Sequence, residues 1–138
     1  EVNFHTSYEP IRCVRTRRYK YIRYYDESWT KLNLSNMDSS LSKDFYMRHD
    51  LAQQQKPMEA LYDCYYDPDE RQNLVQDLRY QKILEEMRKK LREFQLRTHD
   101  PILDGELEMK PTYKVNKKEC INASSKEPQD YDPRGRWQ

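Results

Sequence analysis

Glycine is nearly missing from this chain, with two residues in 138. A phosphate-cradling loop needs bare backbone that can approach its ligand closely. Gly-rich nucleotide loops are therefore disfavoured, and helix with a few strands is favoured. Long apolar runs are missing too. Nothing approaches the roughly 20 residues that span a bilayer, and no secretory-leader pattern is present, so no membrane partner is expected. The three cysteines, Cys13, Cys64 and Cys120, show no C-x-x-C spacing, which argues against a disulfide framework and a zinc site. Unpaired thiols lean towards the cytoplasm, with a periplasmic or lysosomal setting left open for a longer parent. Neither charge sign dominates: 25 basic residues stand against 24 acidic ones. Steering towards nucleic acid is weak on that balance, and nucleic acid is not an expected partner.

Charged and hydrophobic residues each make up 36% of the chain, which leaves room for only a small core. Twelve tyrosines enlarge it, because their rings bury apolar area that a hydropathy average undercounts. The opening at Glu1 without a methionine reads as a segment of something longer.

"IRCVRTRRYKYIRYY" alternates and is rich in β-branched and aromatic residues, predicting strands over about 11–16 and 19–25. Their tight connection at Arg17-Arg18 lacks the usual Gly or Asn. Ile11 and Cys13 should point one way, Arg12 and Val14 the other. Residues 1–5 suggest another short strand, and 29–34 a further strand or irregular chain. Over 39–55, Ser40 or Ser42 can cap a helix whose face is Leu41, Phe45, Arg48, Leu51 and Ala52. Residues 58–63 alternate as a strand, ended by Asp67-Pro68-Asp69.

The strongest periodicity follows. Tyr80, Leu84, Met87, Leu91 and Phe94 recur at steps of four and three, and Ile83 widens the stripe. Glu85, Glu86, Arg88, Lys89 and Lys90 face away. The stripe predicts one long amphipathic helix, ending before Asp100-Pro101. From Met109 periodicity disappears, and the chain reads as an extended tail, ordered where Tyr113, Tyr131 or Trp137 finds a surface. The predicted class is α+β: a small antiparallel β-sheet with the long helix packed on one face. Residues 1–108 form this subdomain and 109–138 the tail.

Three features invite a chemical reading. Glu59, Asp63, Asp67, Asp69 and Glu70 form an acidic cluster, but Pro68 sits inside it and no Gly supplies the turn of a calcium loop. A strand-ending turn explains it better, with Asp69 and Glu70 at the N-terminal side of the helical region, where negative charge is favoured. Arg12, Arg15, Arg17, Arg18, Lys20 and Arg23 interleave with Tyr19, Tyr21, Tyr24 and Tyr25. Such a ribbon suits a polyanion, although a solvated sheet face with Arg and Lys stems covering tyrosines is the plainer reading. Cys13 with Arg17 four residues on faintly echoes a C-x-P-S-R nucleophile element, but the Pro and Ser that build its pocket are absent. His5, His49 and His99 are too dispersed for a metal site.

Two ordered motifs carry a family resemblance. "RCVRTRRYKYI" resembles the R-x-V-R-T-x-R-Y-K-Y-I element of sulfatases. "EALYDCYYDPDERQNL" resembles their E-x-L-Y-D-L-x-x-D-P-x-E-x-x-N-L element, with Cys64 in place of Leu. "SYEPIR", "KDFYM" and "RTHDP" add counterparts in the heparan N-sulfatase (sulfamidase)-like group. The likeness runs from Glu1 to about Pro111 and implies a sulfatase C-terminal subdomain. Its expected partner is an N-terminal catalytic α/β domain of the same enzyme, of the alkaline phosphatase-like superfamily. That domain would carry formylglycine and calcium as cofactors and act on a sulfated saccharide. No cofactor, metal or catalytic residue is expected within this segment, which should be inactive alone. His5, Tyr8 and Arg12 are the candidate substrate-contacting residues, placed by the resemblance on the rim of the cleft. The alternative is a stand-alone module that binds an anionic polymer through the Arg/Lys/Tyr hairpin.

Overall fold

Alternation along 11–25 produces a hairpin of two strands, β1 (Ile11–Arg15) and β2 (Tyr19–Tyr24). The computed structural model describes residues 7–105 and 113–132. Arg15 lies opposite Lys20, so the turn needs no glycine. Thr16 closes it instead: its amide donates to the Tyr19 carbonyl at 2.8 Å, and its hydroxyl accepts from the Tyr19 amide at 2.9 Å. β3 (Glu59–Asp63) pairs antiparallel with β2, giving a three-stranded sheet in the order β1-β2-β3.

The long helix α2 spans Gln81–Arg97, preceded by a 3-10 turn at Leu78–Tyr80. It packs on one sheet face, and Tyr21, Leu61, Leu74, Leu84, Met87 and Leu91 form the buried core. Val14, Tyr19, Val75, Tyr80 and Ile83 close its edge. The α+β class and the helix-on-sheet arrangement follow the sequence pattern, with one shift. Phe94 is 48% exposed, and Gln95 is buried in its place. The last turn of α2 ends in a left-handed residue, His99 at φ 49. The His99 amide donates to the Leu96 carbonyl and the Asp100 amide to the Gln95 carbonyl, a paired closure that satisfies the final carbonyls before Pro101.

The chain divides into two compact units, one from residues 11–25 and 57–106, the other from 1–10, 26–56 and 107–138. The sheet and α2 belong to the first. In the second, α1 (Leu41–Met47) is capped by Ser40, whose side chain accepts from the Lys43 amide. Its buried residue is Lys43; of the expected apolar face Leu41 (87%) and Phe45 (53%) are exposed, and Leu51 is buried in a separate 3-10 turn, Leu51–Gln53. The Lys43 ammonium instead donates to the carbonyls of Leu34, Met37 and Ile121 at 2.9, 2.8 and 2.6 Å.

Residues 29–34 form no regular strand. They contribute a single bridge, Lys31 to Gln55, ahead of a 3-10 turn at Leu34–Asn36. The segment 109–138, set apart in sequence as a tail, groups with this second unit. Within 113–132, Val115 and Asn116 are buried, whereas Tyr113 is 41% exposed. The Asn116 side chain donates to the Ser125 and Asp130 carbonyls, binding the segment to itself. The expected strand at 1–5 falls outside the described residues, apart from which Trp137 does so too.

Candidate functional site

Antiparallel register sets Arg23 of β2 opposite Glu59 of β3. Tyr21, two residues earlier on β2, shares Arg23's face of the sheet. Both side chains reach the same carboxylate: the Tyr21 hydroxyl donates to Glu59 Oε1 at 2.5 Å and Arg23 Nη1 donates to it at 2.7 Å. From α2, Arg88 Nε reaches Oε1 at 3.2 Å and Arg88 Nη2 donates to Oε2. Burial alone would raise the Glu59 carboxyl, but the hydrogen bonds from Arg88, Tyr21 and Arg23 outweigh it and bring it from 4.5 to about 2. Burial, then the bond to Glu59, pushes the Tyr21 hydroxyl up to about 12. At neutral pH, Glu59 is therefore an anion and Tyr21 a donor.

These residues line a cavity of about 310 Å³ with Tyr25, Leu91, Arg92, Gln95 and Leu103. Arg88 and Arg92 are one helical turn apart and Gln95 follows on the same side, so α2 supplies one wall. Three guanidiniums against one carboxylate leave two positive charges in excess around the cavity. The helical pattern sets Arg88 among the outward-facing charges, yet its guanidinium returns to the sheet. Its spacing to Leu84 and Leu91 was the available signal, since positions four before and three after share a helix side.

Arg12 lies in the same unit. Its guanidinium grips Asp100 at two points, Nε to Oδ2 and Nη2 to Oδ1, both 2.6 Å. Gln95 Nε2 continues the network, donating to Asp100 Oδ2 at 3.3 Å and to the Tyr25 hydroxyl at 2.9 Å. The Arg12 bond holds the Asp100 carboxyl below the usual range. Tyr8 is buried, at 5% exposure, in the other unit, and His5 lies outside the described residues.

The acidic cluster resolves into separate tasks. Asp63 accepts from Arg18 Nε at 3.1 and 3.0 Å and from Nη2 at 2.7 Å. Glu70, left-handed at φ 55, pairs with Lys20 at 2.7 Å. Asp67 accepts from the Arg71 and Gln72 amides at 3.1 and 2.8 Å. Helix begins only at Leu78, so Asp69 and Glu70 do not charge a helix start as expected. The intervening chain serves the sheet edge: Asn73 Oδ1 accepts from the Leu61 amide, Asn73 Nδ2 donates to the Glu59 carbonyl, and the Leu74 amide donates to the Leu61 carbonyl. No group of three His, Cys, Asp or Glu able to hold a metal exists among the described residues. Cys13 sits exposed on β1 without a helix-start pocket.

The basic-aromatic ribbon is largely neutralised. Arg12, Arg18, Lys20 and Arg23 are ion-paired to Asp100, Asp63, Glu70 and Glu59. Each carboxylate cancels the charge of its cation, which weakens the pull of the hairpin on a polyanion.

No protein-family model matches the chain, and no curated protein matches it either. Among solved structures it is similar to a 2-O GAG sulfatase and to a protein assigned as a sulfatase from Bacteroides thetaiotaomicron VPI-5482. Each likeness is 30% identical over 75% of this chain, with a TM-score of 0.46. The chain spans 16% of the length of each of those proteins. No helix among the described residues is long and apolar enough to cross a membrane.

Proposed function

We propose that this chain is the C-terminal subdomain of a sulfatase, acting as scaffold and cleft rim for a larger catalytic α/β domain. One observation supports the reading most. The residues that define the two resembling sequence elements interlock across 38 to 50 positions: Arg18 with Asp63, Lys20 with Glu70 and Tyr21 with Glu59. Asn73 and Leu74, the end of the second element, complete the β3 edge and the core. Each element explains the other's residue order, as expected if both belong to one inherited folding unit. In this reading the nucleophile and any metal belong to the catalytic domain. A sulfated saccharide is the substrate class proposed for the whole enzyme, and heparan-like N-sulfate its finer form.

The complete gene product, assayed for sulfate release from O- and N-sulfated saccharides, tests this reading. Release by the full protein and none by residues 1–138 alone is the expected result. A complete protein that releases no sulfate from either substrate class would overturn it. Within an active full protein, His5→Ala, Tyr8→Ala and Arg12→Ala should each raise KM or lower kcat/KM. Unchanged kinetics would remove that residue from the rim.

A further inference from the structure

We infer that the cavity between β2, β3 and α2 is a binding site for a small oxyanion, held by Arg92 with Arg23 and Arg88. Charge and spacing carry the inference. Arg88 and Arg92 stand four apart on α2, a like-charge arrangement that costs stability unless an anion offsets it. Arg23 brings a third cation from β2. Glu59 binds Arg23 and Arg88 through one carboxylate, while Arg92 has no ion pair among the described residues. Asp100, which Gln95 joins to this wall, is already paired with Arg12.

Unspent donors also remain. Only Nη1 of Arg23 and Nε and Nη2 of Arg88 bind Glu59, and a guanidinium carries five N–H donors in a planar fork. Such forks match the oxygens of sulfate, phosphate or carboxylate at two points each. The walls suit a compact ligand: Leu91 and Leu103 are apolar, while Tyr25 and Gln95 add polar atoms. A volume of about 310 Å³ sits at the small end of ligand pockets, roughly 300 to 1,000 Å³. That size favours one anionic group over a long polymer. The inference stands apart from the sulfatase reading, because it concerns binding by this chain and not sulfate release by a complete enzyme.

The test titrates the 138-residue chain with sodium sulfate, phosphate or acetate, with ionic strength held constant by sodium chloride. NMR shifts of Arg88, Leu91, Arg92 and Gln95 and of the arginine Nε–H groups report occupancy. At least one of the three anions should give saturable shifts centred on these residues. The anion that saturates at the lowest concentration identifies the oxyanion chemistry. Arg92→Ala should weaken that binding about tenfold, the loss of one charge-assisted contact. Arg92→Gln, which keeps the length and helix preference of the side chain, should do the same. Lys90→Ala, on the exposed side of α2, should leave affinity unchanged. Shifts that never saturate with any of the three anions would overturn the inference. So would wild-type affinity in both Arg92 variants.

Discussion

Arg12 and Asp100, 88 residues apart, meet in a two-point ion pair with both contacts at 2.6 Å. The pair ties the first strand to the segment leaving the long helix. It depends on a planar fork, so charge alone does not replace it. Arg12→Lys should cost about 1 to 2 kcal/mol by urea unfolding, since one of two charge-assisted bonds is lost. Arg12→Ala should cost more, because it leaves the buried Asp100 carboxylate without its cation. Equal stability of wild type and Arg12→Lys would show that the fork geometry is not what holds the two segments.

Glu59 gives the fold a defined acid limit. Its carboxyl lies at about 2 instead of 4.5, so the folded state holds that proton less tightly than the unfolded chain. The stabilisation is fully present above the unfolded value, and it is lost as pH falls from 4.5 towards 2. Tyr21, raised from 10 to about 12, acts at the other end: its contribution is present below 10 and disappears as pH rises towards 12. Urea midpoints measured across pH should fall at both ends. Glu59→Gln should flatten the acid limb and Tyr21→Phe the alkaline one. An acid limb unchanged in Glu59→Gln would place the titrating group elsewhere.

The register of α2 can be tested by truncation. Leu84 is buried at 1% exposure, whereas Phe94 is 48% exposed. Leu84→Ala should therefore cost about 2 to 5 kcal/mol. Phe94→Ala should cost about 0.5 kcal/mol or little more, despite the larger side chain. Comparable losses would mean that the helix buries the face expected from sequence and not the observed one.

Lys43 should behave as a core residue of its unit. Its ammonium, buried at 7% exposure, serves three carbonyls, and burial lowers its pKa. Lys43→Met keeps the stem but orphans those carbonyls, a loss of about 3 kcal/mol at the scale of unsatisfied buried groups. Leu41→Ser, two residues away and 87% exposed, should be nearly neutral. Loss of structure in 113–132 by hydrogen exchange in Lys43→Met would confirm that the Ile121 contact anchors this segment.

Period two and period 3.6 made the hairpin, β3 and α2 legible in one dimension, because burial on one face of a strand or helix writes itself into local spacing. The acidic turn was legible for a similar reason: Pro68 and the missing glycine argued against a calcium loop. Long-range pairing was not legible. Spacing sets Arg88 on the side of Leu84 and Leu91, but nothing local names Glu59, 29 residues away, as its partner. Likewise, Lys43 looks like an ordinary surface lysine until the Leu34, Met37 and Ile121 carbonyls converge on it. Gln95 replaces Phe94 in the interior because Asp100 and the Tyr25 hydroxyl give its amide partners there.

The sequence by itself determined the α+β class, the helix stripe and the order of residues in the hairpin and in the acidic turn. Only the tertiary structure decided which charges cancel and which remain. It matches Arg12, Arg18, Lys20 and Arg23 to carboxylates far along the chain. It also sets Arg92 beside a cavity without a counter-ion among the described residues. The physical reason is range. Backbone pattern is set by neighbours a few residues apart, whereas Coulomb energy depends on distances that exist only after the chain has folded.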